Sequence, residues 1–379
     1  MIPPNARLSV AAALLCMVTA LPAGNVAAEA GRPVWTLGGD LRLRFERDWD
    51  SQTGAGAARP DRDRVRVRAR GNLSGQLNAQ WSLGVRARTG NRDSQQSPHL
   101  TVHSSDGLTD DPAVSLDRYF LQFWQGAVTA WAGRNTTPFW QQNELFWDED
   151  VTPTGVAVSH EAKFAAGTVT STAGAFRLPD GLTALHGTLV GAQLRLARRL
   201  PSGRLTLASG LYQLDGRGGA AFLRNRNGAR DYLLGVLNAQ WTHAPASGRA
   251  LVLGADWVGN FEDYTAADAL PFAARHADET HGWVLSALYG STRNPGDWQA
   301  GWFYARIGTL AVNAAYAQDD WARFGSATQS DLTDLKGHEF RGTYMLTKSL
   351  TVQARLFLVQ AIRSIQDGKR FRLDLNWRF

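Results

Sequence analysis

The chain reads as an all-β protein: a transmembrane, antiparallel, up-and-down β-barrel of sixteen strands. Three observations predict this. Apolar and polar residues alternate strictly along segments of about ten residues, the length a tilted strand needs to cross a bilayer. The connections between these segments alternate between short turns and longer polar stretches. The last segment ends on an aromatic residue, with Phe371, Leu373, Leu375, Trp377 and Phe379 alternating against Arg370, Arg372, Asp374, Asn376 and Arg378.

Each element follows from the same period of two, which puts alternate side chains on opposite faces of a strand. Over 35–47, Trp35, Leu37, Leu41, Leu43 and Phe45 oppose Thr36, Asp40, Arg42, Arg44 and Glu46. Over 62–74, Val65, Val67 and Ala69 oppose Arg64, Arg66, Arg68 and Arg70; over 77–88, Leu83, Val85 and Ala87 oppose Ser82, Arg86 and Arg88. Similar segments lie near 115–124, 127–134, 153–164, 167–178, 187–198, 203–215 and 230–242. The remainder lie near 248–259, 280–290, 298–306, 336–346, 350–360 and 369–379. Long connections fall at 48–61, 89–114, 135–152, 179–186, 216–229, 260–279, 307–335 and 361–368. Fifteen alternating connections, the first and the last of them long, give sixteen strands with both termini expected in the periplasm. Leu310–Tyr316 also alternates, but counting it gives an odd total and breaks the succession of loops, so it is placed in an outer loop. Counting it together with one further unrecognised segment would make eighteen strands.

Composition agrees. A mean hydropathy of -0.27 with 44% hydrophobic residues is too polar for a bundle of membrane helices, yet averaging two opposed faces hides an apolar outer surface. A soluble β-sandwich would leave those stripes without a covering sheet. Residues 1–28 read as a secretory signal peptide, with Arg7 before an apolar core over 8–21 and small residues at 26–28; residues 29–379 are the barrel. The one cysteine, Cys16, lies in that signal, so disulfides, thiolate metal sites and thiol nucleophiles are excluded from the mature chain. Aromatics near segment ends, such as Trp81, Tyr119, Trp257 and Trp298, suit interfacial girdles.

The stretch from Arg64 to Leu73, continuing through Leu83–Asn91, resembles the opening hairpin of the bacterial putative porin family. Leu116–Leu121, Ala132–Trp140 and the Trp147-Asp-Glu-Asp150 block are similar to the same family, as are Pro295–Trp298, Lys336–Glu339 and Leu346–Leu350. The likeness is weakest between 179 and 275 and departs at Asp319–Gly325. Alginate-export barrels are a more distant resemblance. The family likeness implies an outer-membrane pore for passive diffusion, a monomer or homotrimer in contact with outer-membrane lipid and lipopolysaccharide. The final strand resembles the signal by which such barrels engage their assembly machinery.

Of 40 basic residues only four are lysine. Arg42, Arg44, Arg64, Arg66, Arg68, Arg70, Arg86 and Arg88 fall between apolar neighbours and should face the lumen, since a charge on the lipid face costs about 2–4 kcal/mol at the midplane. Guanidinium stays charged and grips carboxylate or phosphate with two bonds, and lumenal charge sets selectivity, so the wall should guide anionic solutes. The same arginines could instead pair with Asp40, Glu46 or Asp117 and stiffen the wall. A second constellation, Arg134, Trp140, Glu144, Asp148 and Asp150, sits in a connection long enough to fold inward and narrow the pore. Its acids facing the arginines would orient dipolar or zwitterionic solutes; left outside, it would be a solvated acidic loop. Spread along a pore wall, the arginines do not form a nucleic-acid surface. No cofactor or metal is expected: the eight histidines are scattered, and 148–150 lack the spacing of a calcium loop. Two other functions stay open, an outer-membrane enzyme acting on lipid and a closed barrel serving as surface anchor or partner platform.

Overall fold

The computed structural model describes residues 33–216, 230–245, 248–264, 276–321 and 333–379. The proposed signal peptide, 1–28, lies outside them.

The described residues form one antiparallel sheet closed on itself. Its first strands are β1 (Val34–Gln52), β2 (Arg62–Gln76), β3 (Trp81–Thr89), β4 (Leu100–Ser104), β5 (Val114–Gln125) and β6 (Val128–Arg134). There follow β7 (Thr154–Phe164), β8 (Gly167–Asp180), β9 (Ala184–Leu200), β10 (Gly203–Asp215), β11 (Tyr232–His243) and β12 (Ala250–Asn260). The circuit ends with β13 (His281–Gly290), β14 (Trp298–Ile307), β15 (Leu335–Met345), β16 (Leu350–Ala361) and β17 (Asp367–Arg378). β1 pairs with both β2 and β17, which closes the barrel on itself. Sixteen of these strands are the staves expected from the alternation. β4 is an addition: it continues above β3, pairing with Arg64–Val67 of β2, while β3 itself pairs with β5.

Alternation sets the faces. Leu43 is 49% exposed on the outer surface whereas its neighbour Arg44 is 2% exposed within, and Leu121, Val156, Val190, Leu211 and Leu237 repeat the outward apolar pattern around the wall. Leu310–Tyr316 lies in the connection between β14 and β15, as read from the sequence. The connection expected at 179–186 is corrected: β8 and β9 extend through it, leaving only 181–183 as a tight turn. Gly181 makes the turn possible, with φ +66° and no room for a side chain beside the Arg92 carbonyl.

The interior is not uniformly polar. Trp131, Phe176, Leu189, Leu214, Val236, Val258, Val284 and Phe303 are buried on the inner face of β6–β14. They pack with Leu145, Val151, Val312, Ala315, Tyr316 and Trp321 from two connections. One side of the barrel is therefore a packed apolar core, and the other, built by β1–β3 and β15–β17, is charged.

Candidate functional site

The charged wall follows from register. Asp40, Arg42, Arg44, Glu46 and Asp48 of β1 lie opposite Arg70, Arg68, Arg66, Arg64 and Arg62 of β2. On the other side Arg42, Arg44, Glu46 and Asp48 meet Asn376, Asp374, Arg372 and Arg370 of β17. Ion pairs join most of these. Arg44 donates to Asp374 at 2.7 Å, Arg68 and Arg70 reach Asp40 at 2.6 and 2.7 Å, and Arg86 reaches Asp117 at 2.5 Å. Glu46 accepts from Arg64 and Arg372. The eight arginines named from the sequence lie on the inward face of β1–β3, and most are matched by carboxylates. Arg42, Arg66 and Arg88 are the exceptions. Arg42 donates to the neutral amide of Asn376 and is 3.9 Å from Asp374. Arg66 donates to Ser97 Oγ at 3.0 Å and, among the described residues, has no carboxylate partner. Arg88 donates to the Ser94 carbonyl and stands 3.8 Å from Asp117.

The connection 135–152 runs across the interior between these walls. Arg70 Nη1 reaches Asp150 at 3.0 Å at one end. Toward the far wall, Trp140 exchanges backbone bonds with the Gln193 side chain, and Phe139 meets Tyr212 edge to face. At the tip, Gln142 donates to Asp256 at 2.6 Å, and Asn143 and Asn238 donate to the same carboxylate. This latch gives a direct test. Asp256→Ala leaves Asn143 and Asn238 without their acceptor and Gln142 with only the Ala239 and Ala255 carbonyls, so the loop tip should loosen and single-channel conductance in a planar bilayer should rise; unchanged conductance would argue that the latch does not hold the loop.

Two further segments join it. Gln95 donates to the Ala315 carbonyl at 2.8 Å and Gln96 to those of Ala314 and Ala317. Asp148 N donates to the Tyr316 carbonyl and Gln318 N to that of Glu144, while Trp147 stacks on Tyr316 at 5.6 Å. Residues 310–317 are accordingly almost wholly buried, because they pack between these loops and the apolar wall.

The predicted residues divide. Trp140, Glu144, Asp148 and Asp150 lie in the crossing segment. Arg134 anchors its root, donating to the Thr152 and Leu182 carbonyls; Gly133, at φ +125°, interrupts the alternation there, and both Trp131 and Arg134 are buried. Gln96, His99, Gln318, Asp319 and Asp320 belong to the same site and were not singled out by pattern. Arg42, Arg44, Ser97 and His99 line one side of a cavity of about 200 Å³, and Glu144, Asp148, Glu149, Gln318 and Asp319 also line it.

The acids differ sharply. Burial, then the nearby carboxylates of Glu149 and Asp320, push Glu144 up to about 8. Burial and the charges of Glu144, Asp150 and Asp319 hold Asp148 well above the usual carboxylate range. Burial acts the same way on Asp150, but Arg70, Arg68 and Arg88 outweigh it and keep Asp150 below its ordinary value. Asp320 is likewise lowered against burial by Arg372 and Arg355. The arrangement sets guanidinium groups and carboxyl groups on one water-accessible space.

Residues 35–213 match the model of the putative porin family. The likeness read from the opening hairpins is therefore found independently over that stretch. No curated protein matches the chain. Among solved structures, the high-pH form of Pseudomonas putida OprB aligns with a TM-score of 0.53 at 12% identity, covering 91% of this chain and 94% of that one. Salmonella typhi OmpF, in complex with daunomycin, aligns at 0.53 and 12%, covering 93% and 100%. The trimer form of Vibrio cholerae OmpT aligns at 0.51 and 9%, covering 92% and 100%. At these identities the likeness is one of fold, a closed barrel of sixteen staves.

Proposed function

We propose that the protein is an outer-membrane channel for passive diffusion of small hydrophilic solutes. The observation that carries this is a closed barrel, apolar outside, whose inner cavity has a guanidinium-bearing wall and carboxyl-bearing loops. The family match over 35–213 and the barrel neighbours support it. The expected readout is stepwise conductance when purified protein enters a planar lipid bilayer.

Selectivity follows from which charges remain unmatched. Asp40, Glu46, Asp117 and Asp374 offset much of the arginine wall, so a preference for anions rests on Arg42, Arg66 and Arg88. In a salt gradient at neutral pH the reversal potential should lie on the anion side, and Arg42→Gln with Arg66→Gln should move it toward the cation side. A cation-side value in the unaltered protein would sink the anion preference and leave the channel.

The same reading places both termini in the periplasm, lipid and lipopolysaccharide around the wall, and the strand ending at Phe379 as the part that engages the assembly machinery. A homotrimer is in keeping with the trimer form of the OmpT neighbour. An enzyme acting on lipid is disfavoured by geometry: Ser159 bonds Thr172 while its neighbour His160 is exposed on the same strand. One rival has an observation in its favour. The packing of 135–152 and 308–321 inside the barrel suits a closed platform, and a silent bilayer would select it.

A further inference from the structure

We infer that the cavity between the arginine wall and the inward loops is a binding subsite for a zwitterionic solute of the amino-acid or short-peptide class, with its carboxylate against Arg42 and His99 and its ammonium against Glu144 and Asp148. This rests on the channel reading and deepens it.

Both poles carry charge or polarity that the protein does not itself satisfy. At the cationic pole, Asp374 is engaged by Arg44 at 2.7 Å and leaves Arg42 at 3.9 Å. His99 is 7% exposed, lines the cavity, and its Nε2 has no hydrogen-bond partner. At the anionic pole, Asp150 is taken by Arg70 and Asp320 by Arg355 and Arg372. Glu144 and Asp148 have no cation among the described residues; without one they hold their protons at neutral pH, and an ammonium entering beside them favours their ionised form.

The cavity lining also carries two orphans. Gln96 Oε1 and Gln318 Nε2 both belong to residues no more than 2% exposed that line the cavity, and neither has a partner. One is an acceptor and the other a donor, the two capacities of a peptide group. A simple anion entering here meets the carboxyl loops and a simple cation meets the guanidinium wall. A molecule carrying both charges satisfies each pole, and about 200 Å³ holds far more than one water.

The test is block of the bilayer current by four probes: glycylglycine, N-acetylglycine, glycinamide and N-acetylglycinamide. Glycylglycine should block saturably at concentrations about tenfold below any of the others, as loss of one charge-assisted contact requires. Glu144→Gln with Asp148→Asn should erase its advantage over N-acetylglycine, and Arg42→Gln its advantage over glycinamide. Equal block by N-acetylglycine and glycylglycine in the unaltered protein overturns the proposal in favour of a plain anion site. Intact conductance without block by any probe overturns it while the channel stands. If no current is seen the channel reading fails, and calorimetric titration of the solubilised barrel with glycylglycine then decides the subsite, absence of saturable heat overturning it.

Discussion

Glu46→Gln should destabilise the barrel by about 3–5 kcal/mol, the usual consequence of removing one member of a buried ion network. Glu46 is fully buried and accepts from Arg64 and Arg372, with Arg370 at 3.6 Å. These arginines are themselves buried or nearly so, and Arg372 also reaches Asp320 of the loop behind β14. Neutralising the acid leaves their charges confined in the wall, where water cannot replace the lost partner. Urea unfolding followed by heat-modifiable gel mobility gives the measurement. The control is Asp61→Asn, whose pair with Arg47 at 3.4 Å is half exposed on both sides and should be worth less than about 1 kcal/mol. Adding Arg372→Gln to Glu46→Gln should recover part of the loss, since the two groups interact directly. Equal costs for Glu46→Gln and Asp61→Asn would show that the lumenal network is solvated in practice.

That network illustrates what a one-dimensional pattern can and cannot convey. Period-two alternation is a local property, so the staves and the inward aim of Arg42, Arg44 and Arg64–Arg70 could be read directly. Which charge meets which is a matter of register between strands remote in sequence. Glu46 and Arg372 are 326 residues apart, and no spacing rule connects them. β4 was invisible because its five residues sit in a polar connection and pair only through the upper part of β2. Leu310–Tyr316 shows the opposite case: its alternation is real but carries no strand, because it is wedged between the apolar barrel wall and the loop bearing Gln95 and Gln96. The rule that inward means polar failed on β6–β14, where inner-face Phe176, Val258 and Val284 face packed loops instead of water. For the same reason His99, one of eight scattered histidines in the sequence, could be recognised as part of the site only after the loops were placed.

Raising the pH from about 6 to 9 should shift the channel toward cations, and Glu144→Gln should remove most of that shift. Glu144 is pushed up to about 8 by burial and by Glu149 and Asp320, against the pull of Arg355; Asp148, raised by burial and by Glu144, Asp150 and Asp319, acts in the same direction. Below about 8 Glu144 is mostly neutral, and the cavity it shares with Arg42, Arg44 and His99 has a weaker negative side. Ionisation adds a carboxylate to that space, and lumenal charge sets which ion enters. The sign for stability follows from linkage. The folded chain holds this proton where an ordinary glutamate has lost it, so the contribution is complete below the ordinary glutamate value near 4.5 and is lost as pH rises to about 8. Loop packing should therefore weaken from about pH 4.5 upward and level off near 8, where selectivity moves. Reversal potentials across a salt gradient at closely spaced pH values would show the transition, and noise in the open-channel current should grow with it. A reversal potential flat between pH 6 and 9 in the unaltered protein, or an undiminished shift in Glu144→Gln, would place the controlling charge elsewhere than on the crossing loop.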